Sequence, residues 1–128
     1  MGKQRPPGAD QPDPALPYSQ VLKIACSKLV VLSGQVAEDA EGKILEGDIK
    51  TQTRYALENC RRRLADAGCT FDDVFKTTIF LRDSHHWEAM NEVYTEMMPF
   101  PRPVRTAVQA GLFPGCLVEI EMWASSPD

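Results

Sequence analysis

The sequence has no apolar run of about eighteen residues, which excludes a membrane-crossing helix. It has no C-x-x-C pair, and no histidine stands at zinc-finger spacing from any of its four cysteines, Cys26, Cys60, Cys69 and Cys116. Neither a structural zinc site nor a redox dithiol is therefore expected, and no metal is assigned. The two histidines, His85 and His86, are neighbours. Adjacent helical positions point about 100° apart, so the pair does not form a metal-binding face. There is no H-E-x-x-H motif, no glycine-rich phosphate loop and no Ser-His-Asp motif. A basic excess is also missing. Fourteen Lys and Arg against 18 Asp and Glu leave a formal charge of −4, which speaks against a nucleic-acid ligand. The N-terminus lacks the apolar stretch of a secretory signal. Met1-Gly2 is followed by Pro6 where myristoylation wants Ser or Thr. The cytoplasm is the default expectation, with the mitochondrion left open.

What is present is an ordinary globular composition. The 128 residues are 43% hydrophobic and 25% charged, the range of a single soluble domain. Residues 1–17 hold five of the ten prolines and almost nothing apolar, so they are read as a flexible tail ahead of one domain over 18–128. The cysteines are read as free thiols in a reducing compartment, acting as small buried hydrophobes.

Leu22 to Cys26 and Lys28 to Leu32 read as two short strands, with Ser33-Gly34-Gln35 ending the second. Asp48 is a good N-cap for a helix to about Ala67, closed by Gly68. Ile49, Thr53, Ala56, Leu57, Cys60 and Leu64 recur at helical spacing and predict its buried stripe. Arg61-Arg62-Arg63 suit the helix C-terminus, because three consecutive positions fan around the axis and do not make one binding face. Val74 to Arg82 is β-branched and apolar, a strand. Ser84 then caps a second helix to about Met98, with Trp87, Met90, Asn91, Tyr94 and Met97/Met98 as its stripe. Asn91 in that stripe is either a satisfied structural amide or a residue that holds a functional loop or ligand. Strands Val104 to Ala110 and Leu117 to Ala124, joined through Phe113-Pro114-Gly115, complete the order β-β-α-β-α-β-β. The fold class is α+β, a sandwich with both helices on one face of a mixed sheet.

Side chains alternate across a strand. Val104, Thr106 and Val108 are expected to join Val118, Ile120, Met122 and Ala124 beneath the helices. Arg105, Ala107 and Gln109 then share the other face with Leu117, Glu119, Glu121 and Trp123. Two helices cover one face, so the mixed second face predicts a homo-oligomer. The planar fork of Arg105 suits a bidentate carboxylate. Glu119 on the same face is either its salt-bridge partner or a general base beside a bound acid.

Ten short segments follow one another in order: Pro17-Tyr18-Ser19-Gln20, Ser33-Gly34-Gln35, Gln52-Thr53, Ala56-Leu57-Glu58-Asn59, Ala67-Gly68, Lys76-Thr77-Thr78, Asn91-Glu92-Val93-Tyr94, Pro103-Val104-Arg105-Thr106, Pro114-Gly115 and Val118-Glu119-Ile120-Glu121. In these, from Pro17 to about Ala124, the chain resembles the RidA/YjgF (L-PSP) family of reactive-intermediate deaminases. The resemblance implies a chorismate-mutase-like fold, a homotrimer with sites in the clefts between subunits, and no cofactor. It implies hydrolysis of enamines and imines of the 2-aminoacrylate/2-iminopropanoate type to 2-keto acids and ammonia. The alternatives within the family are a ribonuclease or translation inhibitor, and a non-catalytic trimer that binds small carboxylates or partner proteins. Residue by residue, Arg105 matches the carboxylate-binding arginine and Glu119 the acid near the attacking water. Tyr18 matches the aromatic that closes over the ligand and Asn91 the helix amide near the cleft. Backbone at Ser33, Gly34 and Ala107 would supply hydrogen bonds. Small imino or keto acids are the implied ligands; membrane and nucleic acid are not. The chain departs from the family pattern at Leu16, often Gly, at Ala107, often Cys, and in a turn before Glu119 that is one residue shorter.

Overall fold

A computed structural model describes residues 3–4 and 14–127. Most of the tail expected over 1–17 lies outside the described residues. Its Lys3–Gln4, however, forms a two-residue strand, β1, antiparallel to β2 (Lys23–Ile24).

Helix α1 (Ile49–Asp66) forms where the apolar spacing predicts it, and Asp48 caps it by accepting a 2.8 Å bond from the Thr51 N–H. Ala67 is its C-cap, and Gly68 beyond it has φ +74°, a left-handed conformation that glycine adopts without strain. A single 3₁₀ turn at Phe71–Asp73 leads into β4 (Val74–Leu81). The start of the second helix differs from expectation. Asp83, not Ser84, is the capping residue, and it caps a 3₁₀ turn over Ser84–His86. The α-helix proper, α2, is Trp87–Met97. Strands β5 (Val104–Gln109) and β6 (Val118–Ser125) close the chain.

The main sheet runs β3 (Leu29–Val31), β6, β4, β5, with β4 and β5 parallel and the other pairs antiparallel. It is mixed, and both helices lie on one face, as the sequence implies. The two early strands do not pair with each other as a hairpin. β2 holds β1 instead, in a separate two-stranded ribbon.

The core lies between helices and sheet. Ala56, Leu57, Cys60 and Leu64 of α1 meet Ile79, Leu81, Ile120 and Met122 of the sheet, together with Met90 and Tyr94 of α2. All ten are fully buried. Such density explains why burial alone pushes the Cys60 thiol up to about 12. Cys69 and Cys116 are also buried, while Cys26 is exposed.

Strand β5 inverts one expectation. Its register pairs Arg105 with Thr77 and Ala107 with Ile79. Thr77 and Ile79 also pair with Met122 and Ile120, so all six side chains share the helix face. Arg105 and Ala107 therefore lie beneath α2. Val104, Thr106 and Val108 lie on the open face with Glu119, Glu121 and Trp123. Alternation says which residues share a face and leaves open which face it is. Choosing by apolarity failed on β5 because it is an edge strand whose outer valine, Val108, stays 41% exposed.

Candidate active site

Register and tertiary contacts gather the site residues into two groups. The first surrounds Arg105. Its Nη1 donates to Asn91 Oδ1 at 2.7 Å, across from the middle of α2. Three aromatic rings surround the guanidinium carbon, Tyr94 at 4.9 Å, Tyr18 at 5.7 Å and Trp87 at 5.8 Å. Cations over aromatic faces at these distances are attracted by the ring quadrupole. Tyr94 forms the floor. It is fully buried, its hydroxyl is 2.8 Å from Thr77 Oγ1, and burial pushes its pKa up to about 12. Burial also lowers the pKa of Arg105 from its ordinary value. A guanidinium nevertheless stays charged at any working pH. Among the described residues Arg105 forms no ion pair.

Sequence reasoning misses two members of this group, Trp87 and Tyr94, because the α2 stripe assigns both to the core. Tyr94 is core, but its ring also underlies the guanidinium. Trp87 is 39% exposed and walls the site. Helical spacing correctly put Asn91, Tyr94 and Trp87 on one side of α2, and the signal overlooked was the cluster of two aromatics around an amide. His86, half-buried and next to Trp87, has a buried Nδ1 without a partner among the described residues.

The second group surrounds Glu119. The Gly34 backbone packs so closely on this side chain that an added Cβ would displace its carboxylate, so glycine leaves Glu119 free to take this position. The Ser33 carbonyl accepts a 3.1 Å bond from Gln35 Nε2. Backbone bonds between Gln35 and Ile120, at 2.7 and 2.9 Å, pin this turn beside Glu119. Glu119 also lines a cleft of about 350 Å³ with Gly111, Leu112, Phe113 and Pro114. Gln52, fully buried in α1, holds the far side of that turn. Its Nε2 donates to Gly115 O at 2.7 Å and Leu45 O at 3.3 Å, and its Oε1 accepts from Leu117 N–H at 2.8 Å.

The two groups do not meet within one chain. Arg105 is on the helix face of the edge strand. Glu119 is on the open face of β6, in register with Phe80 and, across β4, with Val108. The expected Arg105–Glu119 pair is thus absent, because opposite faces of a sheet cannot share a salt bridge. Ala107 packs against the hydrophobic core below Arg105. Among the described residues no cluster of metal-ligating side chains occurs, and no helix is long and apolar enough to cross a membrane.

Comparison with known proteins gives this constellation a context. The family model described as Endoribonuclease L-PSP matches residues 8–126. The chain belongs to the RidA/YjgF family. Among curated members of the family, the 3-aminoacrylate deaminase RutC of Acinetobacter baylyi is 39% identical over 111 residues, covering 85% of this chain and 86% of RutC. The mitochondrial protein mmf2 of Schizosaccharomyces pombe is 42% identical over 113 residues, covering 85% of this chain and 87% of its own. The Rid-family protein YyfB of Yersinia pestis superposes with a TM-score of 0.82 at 25% identity, over 98% of this chain and 99% of that one.

Proposed function

We propose that this RidA/YjgF protein hydrolyses small 2-imino acids and their enamine tautomers to 2-keto acids and ammonia, in sites assembled between the subunits of a homotrimer. One observation carries the reading. Arg105 is a desolvated cation, oriented by Asn91 and walled by three rings, with no carboxylate of its own among the described residues. A half-buried guanidinium that bonds a single amide oxygen favours an anion on the rest of its fork, and every 2-imino acid carries one carboxylate of matching bidentate geometry. A relative that covers most of the chain bears the name of a 3-aminoacrylate deaminase, which supports the same chemistry. The substrates assigned are of the 2-iminopropanoate and 2-iminobutanoate type.

The reaction needs little machinery. Arg105 holds the carboxylate, and Tyr18 closes over the bound ligand. Glu119 accepts a proton from water as that water adds to the imine carbon, and returns it to the nitrogen to give the carbinolamine. The carbinolamine hydroxyl then gives its proton by way of Glu119 to the nitrogen, the C–N bond breaks with release of ammonia, and C=O forms. Backbone groups at Ser33, Gly34 and Ala107 are assigned hydrogen bonds to the ligand. Positioning supplies the rate, because an imine carbon is already electrophilic. Since Glu119 and Arg105 lie on opposite faces, one subunit contributes the arginine group and its neighbour the glutamate group.

The test generates imino acids in situ with an amino-acid oxidase and traps them with semicarbazide. Wild type should lower the trapped product. Arg105→Ala should lose about 10- to 100-fold in kcat/KM, the cost of a charge-assisted carboxylate contact. No competition with the trap across several amino acids, together with calorimetric binding of 2-keto acids, would leave a carboxylate-binding trimer. RNA cleavage that needs Glu119 would favour the activity for which the family model is described.

A further inference from the structure

Three residues before Arg105 stands a second buried arginine that the reaction does not use. Arg102 is 9% exposed and forms no ion pair among the described residues. Its fork is spent on backbone carbonyls. Nη1 donates to Pro14 O at 2.7 Å and Leu16 O at 3.0 Å, and Nη2 to Thr95 O in the last turn of α2 at 3.0 Å. Nε is buried without a partner among the described residues. The backbone next to it makes further ties. Arg102 O accepts from Ser19 Oγ, and Pro103 O accepts from Ser19 N–H at 3.0 Å. The segment Pro14–Ser19 is therefore held at Pro14 and Leu16 by the Arg102 side chain and at Ser19 by the Arg102–Pro103 backbone. Tyr18 lies between these ties, with its ring 5.7 Å from the Arg105 guanidinium.

A buried cation without an anion is costly, so its retention calls for a use. Packing alone could be met by an apolar side chain at lower cost. What an apolar residue cannot do is bind two carbonyls of one segment and one of a helix at the same time. That requires a planar fork of several N–H donors, which lysine also lacks. Pro101 and Pro103 flank Arg102, and their fixed φ gives the fork a stiff base.

We infer that Arg102 is a positioning residue, which clamps residues 14–19 onto β5 and α2 so that Tyr18 is held over the carboxylate site of Arg105. The inference rests on the reading of Arg105 as that site. A clamp of this kind lowers the entropy lost when the ring closes on a ligand, so its removal weakens ligand binding while leaving the chemical step intact. Tyr18 and Arg102 must then act as one unit.

The experiment compares wild type, Arg102→Ala, Tyr18→Ala and the double variant, with Arg102→Lys alongside. It reads KM and kcat for imine hydrolysis, the Kd of 2-oxobutanoate by calorimetry, and amide exchange at Ser19. Arg102→Ala should raise KM and Kd about tenfold, the loss expected for hydrogen bonds from a charged donor, with kcat within about twofold. Added to Tyr18→Ala, it should change either constant by less than about twofold. Arg102→Lys should behave as Arg102→Ala. Ser19 protection should fall about tenfold while global unfolding stays cooperative. Additive losses, a fall in kcat alone, or unchanged Ser19 exchange would each overturn the inference. Should wild type bind 2-oxobutanoate without turning over imines, the deaminase reading fails while the affinity cycle still decides the clamp. If it does neither, the clamp's role in ligand binding falls with the site.

Discussion

Lys3 shows how strongly one residue can report its surroundings. Its side chain is almost fully buried, Nζ donates to Val74 O at 2.7 Å, and burial lowers its pKa to about 8 against the nearby pull of Asp72 and Asp73. The unfolded chain keeps this proton up to about pH 10.5. Between pH 8 and 10.5 the unfolded segment therefore binds more protons than the docked one, and docking of β1 strengthens as the pH rises through that window. Below pH 8 both forms are protonated and docking is at its weakest. The Lys3 Cε resonance should titrate near pH 8, and a midpoint near 10.5 would show that the strand does not dock in solution. Composition could not foretell this, because a lysine in a proline-rich stretch looks like a solvated tail. The arginine site was more legible. Arg105, Asn91 and Tyr18 were identified separately, one by its charge on a strand, one by its polarity in an apolar stripe and one by family resemblance. The fold brings all three together.

Among the elements, α1 follows its sequence most closely, because a capping aspartate, an apolar spacing of three and four, and a closing glycine agree with one another. The same helix carries a polar residue that spacing alone could not interpret. Gln52 is 1% exposed, and its amide serves three backbone groups of the loops at Leu45 and Gly115–Leu117. Gln52→Leu should leave those groups unpaired and cost about 1–3 kcal/mol, read as a lower midpoint in denaturant. The turn that leads to Glu119 should loosen with it, so deaminase KM should rise as well. A midpoint shift without any change in KM would mean that the turn does not place Glu119. Strand β5 was less legible, since its facing is set by register with β4. That register, a non-local pairing across α2, leaves no trace in the local alternation of β5 itself.

In the whole molecule, the sheet has one covered face and one open face. Val31 at 53% exposure, Trp123 at 37% and Val108 at 41% lie on the open face, along with Lys76, whose ammonium is 5.7 Å from the Trp123 ring. Apolar surface spread over three strands is characteristic of an interface, and on this reading the copies pack there. Glu119 lies on this open face. The arginine group lies on the other, at the edge of the sheet, where β5 has no further strand beside it among the described residues. If neighbours in a ring present opposite surfaces to each other, each cleft receives Arg105, Asn91 and Tyr18 from one subunit and Ser33, Gly34 and Glu119 from the next. That arrangement makes a prediction which a site contained in one chain cannot share. Arg105→Ala and Glu119→Gln should each be impaired alone, Arg105→Ala by the roughly 10- to 100-fold given above, to well below a quarter of wild-type turnover. After the two are unfolded together in equal amounts and refolded, a cleft is intact whenever its arginine donor is the Glu119→Gln chain and its glutamate donor the Arg105→Ala chain. Random mixing places both correctly in about a quarter of clefts, so about a quarter of wild-type turnover should return. Trp123→Glu in both chains should abolish the recovery by leaving monomers, seen in light scattering. No recovery from a mixture shown to form mixed trimers would place both residues in the same subunit's site, and the shared cleft would have to be abandoned.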